Sequence, residues 1–351
     1  MNSLAPLMRK HQTALIQHYQ TRMRTQHYAA LQAIIDCHTP VCGSLTYECH
    51  SCSKQQRYYQ SCGHRSCPAC QHRTNNQWLD RQRKKLLPVD YYMVTFTLPF
   101  ELRHFAWNNQ RWAYKTLFTT AVQTLSKFAN HDKQLKVTLG MTGVLHTHSR
   151  RLDFHPHVHF IVPNGGFSNN RRRWKQKHGN YLFNGNALAS VFRGKFLAAM
   201  KQDGLHVSVK TPRQWIAQCQ AVGKGEPALI YLSRYLYRGV INERNIINAD
   251  NDNVTFRYQD STTKCWKTRT EPVLRFLWLV LQHVLPKGFR RTRDYGFLHG
   301  NAKKIRQRLQ LILRVKLPVE NKPVKQTPNC PCCGLAMRFL GFVRYKPIIH
   351  R

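Results

Sequence analysis

The chain has 351 residues, with 55 Lys and Arg against 16 Asp and Glu, for a net charge of +39. A chain this basic calls for a polyanion, and cations spread among polar residues along its length favour nucleic acid over an anionic membrane. No apolar run reaches bilayer-spanning length and the first twenty residues lack a signal-peptide core, so a cytoplasmic protein with no membrane partner is expected.

Pro6 opens a predicted helix over residues 7–36, in which Leu15, Tyr19, Met23, Ala30, Leu31 and Ile34 recur near helical spacing. A cysteine-dense, strand-poor block follows over 37–72, then a polar helix over 78–87 that Pro88 closes. "YYMVTFTLPF" (91–100) reads as a buried strand ended by proline, and 105–129 as a helix. "KVTLGMTGVLHTH" (136–148) reads as a strand, joined through "SRRLDF" to a second one in "FHPHVHFIVPNGG" (154–166), which stops at a Pro-Asn-Gly-Gly turn. Residues 187–203 read as a helix, 245–260 as a hairpin turning over 249–253, and 273–285 as a strongly apolar helix. A basic helix over 301–314 leads through the Pro- and Lys-rich "LPVENKPVKQTP" to "CPCCG". These elements divide the chain into 1–87, a helix and a small cysteine domain; 88–300, an α+β domain; and 301–351, a basic C-terminal region. The sequence holds no GxxxxGK[ST] phosphate loop, so no ATP site is expected.

Twelve cysteines in a reducing compartment point to metal rather than disulfides. Cys49-x2-Cys52 and Cys67-x2-Cys70, fourteen residues apart, have the spacing of a tetrathiolate zinc site, since each CxxC turn aims two thiolates at one ion. Cys37, Cys42 and Cys62 remain beside His38, His50, His64 and His72, enough for a second zinc that would use Cys37 and Cys62. Such closed sites are structural and support a domain too small to bury a sizeable core. Cys330, Cys332 and Cys333 form half a zinc knuckle with no obvious other half.

His155, His157 and His159 alternate on the second strand, so their rings share one face and can converge on a divalent cation. Taken alone, the pattern equally fits three histidines on a solvated strand face. In "ALIYLSRYLYRGV", Tyr231 and Tyr235 stand four apart; on a helix both hydroxyls reach one site, whereas a strand would align Tyr231, Tyr235 and Tyr237. An i,i+4 aromatic pair is more often packing than catalysis. Together, though, the elements make a chemistry: a histidine-held ion polarises a phosphodiester and a tyrosine attacks it. Arg171, Arg172, Arg173, Trp174, Lys175 and Lys177 form a basic loop whose indole suits stacking on an unpaired base, or else an ordinary solvated loop.

The chain resembles the IS91 family of bacterial rolling-circle transposases, enzymes of the HUH (His-hydrophobe-His) type. The motifs that carry the resemblance are "CGHRSCPACQ", "YYMVTFTLP", "VLHTH…FHPHVHFIVPNGG", "YLSRYLYR", "VTFRYQD" and "RFLWLVLQHVLPKGFRRTRDYGFL", spread from residue 30 or so to residue 315. It implies an HUH nuclease domain with a central antiparallel sheet flanked by helices, following an N-terminal zinc-binding domain. It also implies that His157 and His159 are the metal pair and Tyr231 and Tyr235 the nucleophiles. The third ligand is expected to be His146, from the preceding strand, with His155 the alternative. Ser66 departs from the family, which usually carries histidine before Cys-Pro, and this bears on the second zinc. The implied activity is nicking of single-stranded DNA at element ends and transfer of the strand to a target, through a 5′-phosphotyrosine, with Mg2+ or Mn2+ at the nuclease site and Zn2+ as a structural ion. A nucleoid-associated protein working beside a host helicase or the replication machinery is the matching expectation. Two other readings fit the residues: a plasmid replication initiator or relaxase with the same chemistry, and a zinc-dependent DNA-binding regulator without catalysis.

Overall fold

The computed structural model describes residues 3–168, 170, 173–179, 181–236, 240–260, 262–315 and 327–344; for residues 71–75, 228, 231 and 234–236 it describes the backbone alone. The chain forms two compact units, Met1–Thr74 with Tyr237–Val284 and Pro318–Arg351, and Asn75–Leu236 with Leu285–Leu317. Each unit thus draws on more than one of the expected segments 1–87, 88–300 and 301–351. Pairings between segments distant in sequence make the first unit discontinuous: the strand Ser44–Cys49 pairs with Met337–Val343, and the first two helices pack on Val273–Leu281.

The second unit is built on a five-stranded antiparallel sheet in the order Thr292–Gly296, Gly140–His148, Phe154–Pro163, Asp90–Thr97, Ile216–Lys224. Tyr92, Val94 and Phe96 on one strand and Val158, Phe160 and Val162 on its neighbour alternate into one core, which Leu117, Phe118, Phe192 and Phe196 fill from the helices Gln110–His131 and Gly185–Gln202. The predicted helix over 105–129 is two, broken at Asn109 between Arg103–Asn108 and Gln110–His131. The Pro-Asn-Gly-Gly turn forms as expected. Gly165 has φ +129°, and a Cβ there would lie 2.3 Å from the Lys175 carbonyl oxygen, so only glycine fits.

In the first unit the predicted helix over 7–36 is also two, Leu4–Tyr19 and Thr25–Asp36. The turn between them closes with Met23 N–H on the Tyr19 carbonyl, and His27 Nδ1 accepts from Arg24 N–H at 2.9 Å to start the second helix. The break brings two rings onto one: Tyr19 stacks on Trp278 at 4.9 Å, and His27 meets the same indole edge-on at 5.4 Å. Trp278 belongs to the apolar helix Val273–Leu281, beside a three-stranded meander, Ile246–Ala249, Asn253–Gln259 and Trp266–Pro272. The cysteine block, expected to be poor in strands, supplies two strands of a second small sheet, ordered Met337–Val343, Ser44–Cys49, Gln55–Tyr59. Among the described residues, no helix is long and apolar enough to cross a membrane.

Candidate metal and nucleophile site

Strand alternation decides which side chains meet. With Val158, Phe160 and Val162 in the core, His157 and His159 take the opposite face of the five-stranded sheet. Thr95 and Thr97, which alternate with Val94 and Phe96, share that face, and His146 joins it directly across from His157 on the neighbouring strand. The rings of His146 and His159 are 4.6 Å apart, those of His157 and His159 4.8 Å, and those of His146 and His157 5.2 Å. One nitrogen from each of the three lies within 4.8 Å of the others. His155 is not in this group; its Nδ1 accepts from the Arg103 guanidinium.

The rings are oriented from behind. His157 Nδ1–H donates to the His155 carbonyl at 2.7 Å, and His159 Nδ1 bonds the Thr95 hydroxyl at 2.7 Å, so each ring is held through its Nδ1. Burial pushes the His157 imidazole down to about 4, and burial with the neighbouring rings pushes His146 and His159 well below the ordinary histidine range. All three are neutral at pH 7, the form that binds a cation. The donor set fits a divalent metal. Three imidazoles suit a first-row transition ion such as Mn2+ better than Mg2+, which prefers oxygen.

Tyr231 and Tyr235 lie one turn apart in the helix Gly225–Leu236, which removes the strand alternative. That helix packs on four strands of the sheet, Asp90–Thr97, Gly140–His148, Phe154–Pro163 and Ile216–Lys224. A Cβ on Gly225 would meet the Tyr91 ring, whose strand position shares the face of Thr95, so the tyrosine helix lies on the histidine side. Tyr237 lies outside the described residues, as do Arg171 and Arg172. Arg173 is exposed, and Trp174 and Lys175 form a short half-buried strand paired with Gly166–Ser168. Trp174 stands edge-on to Phe297 at 6.0 Å, and Lys177 is committed to Asp132 at 2.6 Å.

The cysteines form two groups of four, but not those the spacing predicts. Cys37, Cys62, Cys67 and Cys70 come together, and Cys49 and Cys52 join Cys330 and Cys333. The expected site of Cys49, Cys52, Cys67 and Cys70 is thus corrected. Cys49 ends the central strand of the small sheet, and its outer neighbour Met337–Val343 carries the Cys330 turn beside it. Sulfur separations are 3.5 and 3.6 Å in the first group and 3.3 to 3.9 Å in the second. A disulfide needs about 2.05 Å, whereas the edges of a tetrathiolate zinc site come to roughly 3.8 Å from its bond lengths. The first group forms without residue 66, so the Ser66 departure does not prevent it. Cys42 stays outside both groups and donates to the Asp36 carbonyl at 3.1 Å. Sequence reasoning missed that Cys330 and Cys333 come together with Cys49 and Cys52, although their shared x2 spacing was the available signal. It missed Thr95 and Arg103 entirely, because their roles arise from strand register and a helix start.

Comparison with known proteins gives two family matches. Residues 7–98 match a family described as a transposase zinc-binding domain, and residues 140–306 one described as "Putative transposase". A protein of Sinorhizobium fredii named "Putative transposase y4qJ" is 30% identical over 333 residues, covering 87% of this chain and 83% of that protein. The transposase for insertion sequence element IS801 of Pseudomonas savastanoi pv. phaseolicola is 30% identical over 296 residues, covering 76% and 68%. No solved structure matches the chain.

Proposed function

Because the chain belongs to the IS91 family of transposases, and so acts on DNA, we propose that it nicks single-stranded DNA at element ends by tyrosine attack and transfers the strand to a target. The observation that carries this reading is the neutral triad His146, His157 and His159, on the sheet face that the Tyr231 and Tyr235 helix covers.

The three imidazoles would hold Mn2+ or Mg2+, and a bound ion would draw charge from the non-bridging oxygens of the scissile phosphate. His155, through its carbonyl, and Thr95, through its hydroxyl, keep two of the rings in one orientation. A tyrosine hydroxyl attacks phosphorus, the new P–O bond forms as the P–O3′ bond breaks, and the phenolic proton leaves as the 3′-oxygen acquires one. The product is a 5′-phosphotyrosine and a free 3′-hydroxyl. The ester conserves the bond's reactivity, so another 3′-hydroxyl can attack it and release the tyrosine without ATP. Donor and target each need one cleavage, and a tyrosine already esterified cannot attack again. Two tyrosines one turn apart meet that need.

The test is incubation of the full chain with single-stranded element ends and Mn2+ or Mg2+, followed by denaturing electrophoresis. A covalent protein–DNA adduct is expected. It disappears in Tyr231→Phe/Tyr235→Phe, and each single tyrosine variant abolishes transposition in cells. His157→Ala/His159→Ala loses the adduct but keeps DNA binding, because the basic surface supplies affinity. An adduct that survives loss of both tyrosines overturns the assignment.

A further inference from the structure

The two halves of the second cysteine group repeat one local structure. Cys49 N–H donates to the Lys54 carbonyl and Ser53 N–H to the Cys49 carbonyl; Cys330 N–H donates to the Leu335 carbonyl and Gly334 N–H to the Cys330 carbonyl. The residue one past the second cysteine is left-handed in both turns, Ser53 at φ +51° and Gly334 at φ +76°. Backbone N–H groups of Ser51 and Cys52 point at Cys49 Sγ, and those of Cys332 and Cys333 at Cys330 Sγ. Lys54 N–H and Leu335 N–H likewise serve Cys52 and Cys333. Amide donors aimed at sulfur stabilise thiolate, the form that binds metal, and both turns present them in the same places.

This repetition is independent of the sulfur distances. Two loops separated by 278 residues, Cys52 to Cys330, adopt the same hydrogen-bonded turn and face each other through four sulfurs. The strands that carry them are adjacent and antiparallel, with Cys49 opposite Met337. Cys49, Cys330 and Met337 are the buried residues of the local cluster, with Tyr47 packed against them. Cys332, inside the later turn, stays exposed and outside the group. The matched zinc-binding region ends at residue 98 and the other family match at 306, so neither covers the Cys330 turn.

We propose that Cys330 and Cys333 complete a tetrathiolate Zn2+ site with Cys49 and Cys52, so that the C-terminal strand is an integral part of the zinc-binding domain. The chain then carries two structural zinc ions. Cys37, Cys62, Cys67 and Cys70 hold the local one; the other ties residues 330–343 to 44–59 and closes a loop of most of the chain length. Each ion binds as Zn2+ with loss of the thiol protons and without any redox step.

Zinc content of the full-length protein tests this, read in a His157→Ala/His159→Ala background because three imidazoles can also take Zn2+. With the cysteines of the wild type that protein should hold two zinc ions per chain, and with Cys330→Ser/Cys333→Ser or Cys49→Ser/Cys52→Ser one each. Combining all four changes should still leave one, because both pairs serve the same ion. Cys332→Ser should keep two. One zinc with the wild-type cysteines, or two with Cys330→Ser/Cys333→Ser, overturns the proposal. Should that double variant misfold and lose all metal, Cys333→His decides. A histidine at that position retains a tetrahedral ligand, so two ions should remain, and the cobalt-substituted protein should show weaker sulfur-to-cobalt charge transfer than wild type. An unchanged cobalt spectrum in Cys333→His overturns it equally.

Discussion

The five-stranded sheet and the three-stranded cysteine sheet are both antiparallel, yet different forces hold them. The first buries Phe96, Phe118, Phe160, Phe192 and Phe196 without measurable exposure in a continuous core beneath two long helices. The second has only Cys49, Cys330 and Met337 buried in its cluster, while Phe339, Leu340, Phe342 and Val343 on its outer strand are exposed. A buried phenylalanine contributes about 1.5–3 kcal/mol, and a structural zinc in a small domain roughly 10–16 kcal/mol at neutral pH. One ion therefore does the stabilising work of several aromatic side chains. Where the core suffices, a cluster of candidate ligands is free to serve chemistry, the role we propose for the three histidines on the far face of the large sheet. Where the core is missing, the ligands substitute for it.

The largest effect should come from removing zinc. Chelation at neutral pH should abolish amide protection across residues 44–59 and 337–343, and leave the strands Asp90–Thr97 and Phe154–Pro163 protected. Hydrogen exchange followed by mass spectrometry reads both sheets in one sample. Persistent protection of the small sheet after complete zinc loss breaks the contrast.

The converse lesion is Phe160→Ala. Phe160 is fully buried, edge-on to Phe96 at 6.4 Å and to Phe118 at 6.1 Å. Truncation should destabilise the large sheet by about 3–5 kcal/mol, as for other buried Phe→Ala changes, and leave zinc content at the wild-type value. Denaturant unfolding and metal analysis on the same preparation check both halves. A drop in zinc stoichiometry would show that the two sheets are not independently stabilised.

What the sequence made legible follows the same divide. Alternation in "FHPHVHFIV" is a local property, so the shared face of His157 and His159 could be read directly, and the apolar positions between them set which face is core. His146 needed one further fact, its register opposite His157, which the neighbouring strand and a short connection make easy to guess. The cysteine pairing needed strand order between segments almost 300 residues apart, and nearest-neighbour spacing favoured the wrong partner for Cys49 and Cys52. The break between the first two helices was equally hidden, because Trp278, far along the chain, is what Tyr19 and His27 pack against. Trp174, for which the sequence leaves stacking on a base and an ordinary solvated loop both open, is half-buried and edge-on to Phe297, a contact that its basic neighbours do not suggest.

Acid should act on both units through buried histidines. Burial holds His27, against Trp278, and His157, on the large sheet, each at about 4. An unfolded histidine titrates near 6.5, so between those values the unfolded chain binds the extra proton and stability rises with pH. Each residue's contribution is complete above about pH 6.5 and is lost as pH falls toward 4, to a limit of about 3 kcal/mol. Metal-free protein should show this slope, and His27→Gln should flatten it for the helices Leu4–Tyr19 and Thr25–Asp36 alone. Unfolding monitored at several pH values by exchange in each unit separates the two histidines. A slope in the first unit that survives His27→Gln would assign it to another group.

The smallest expected effect sharpens the site itself. Thr95 lies opposite His159 across the strand pair, and its hydroxyl meets His159 Nδ1 at 2.7 Å. Valine keeps the β-branched shape that suits a strand and removes only the hydrogen bond, so the fold should tolerate Thr95→Val. The ring then loses the contact that fixes its rotation and favours one nitrogen for the ion. Partners of this kind are typically worth 10- to 100-fold in metal affinity, about 1.4–2.7 kcal/mol. Mn2+ affinity measured by calorimetry should fall by that factor in Thr95→Val and recover in Thr95→Ser, which restores the hydroxyl. Zinc content should not move in either variant, because the cysteine groups share no residue with this face. Equal Mn2+ affinity in wild type and Thr95→Val would mean that the His159 ring is held by packing alone, and the large sheet would then position its ligands with its core as well as support them.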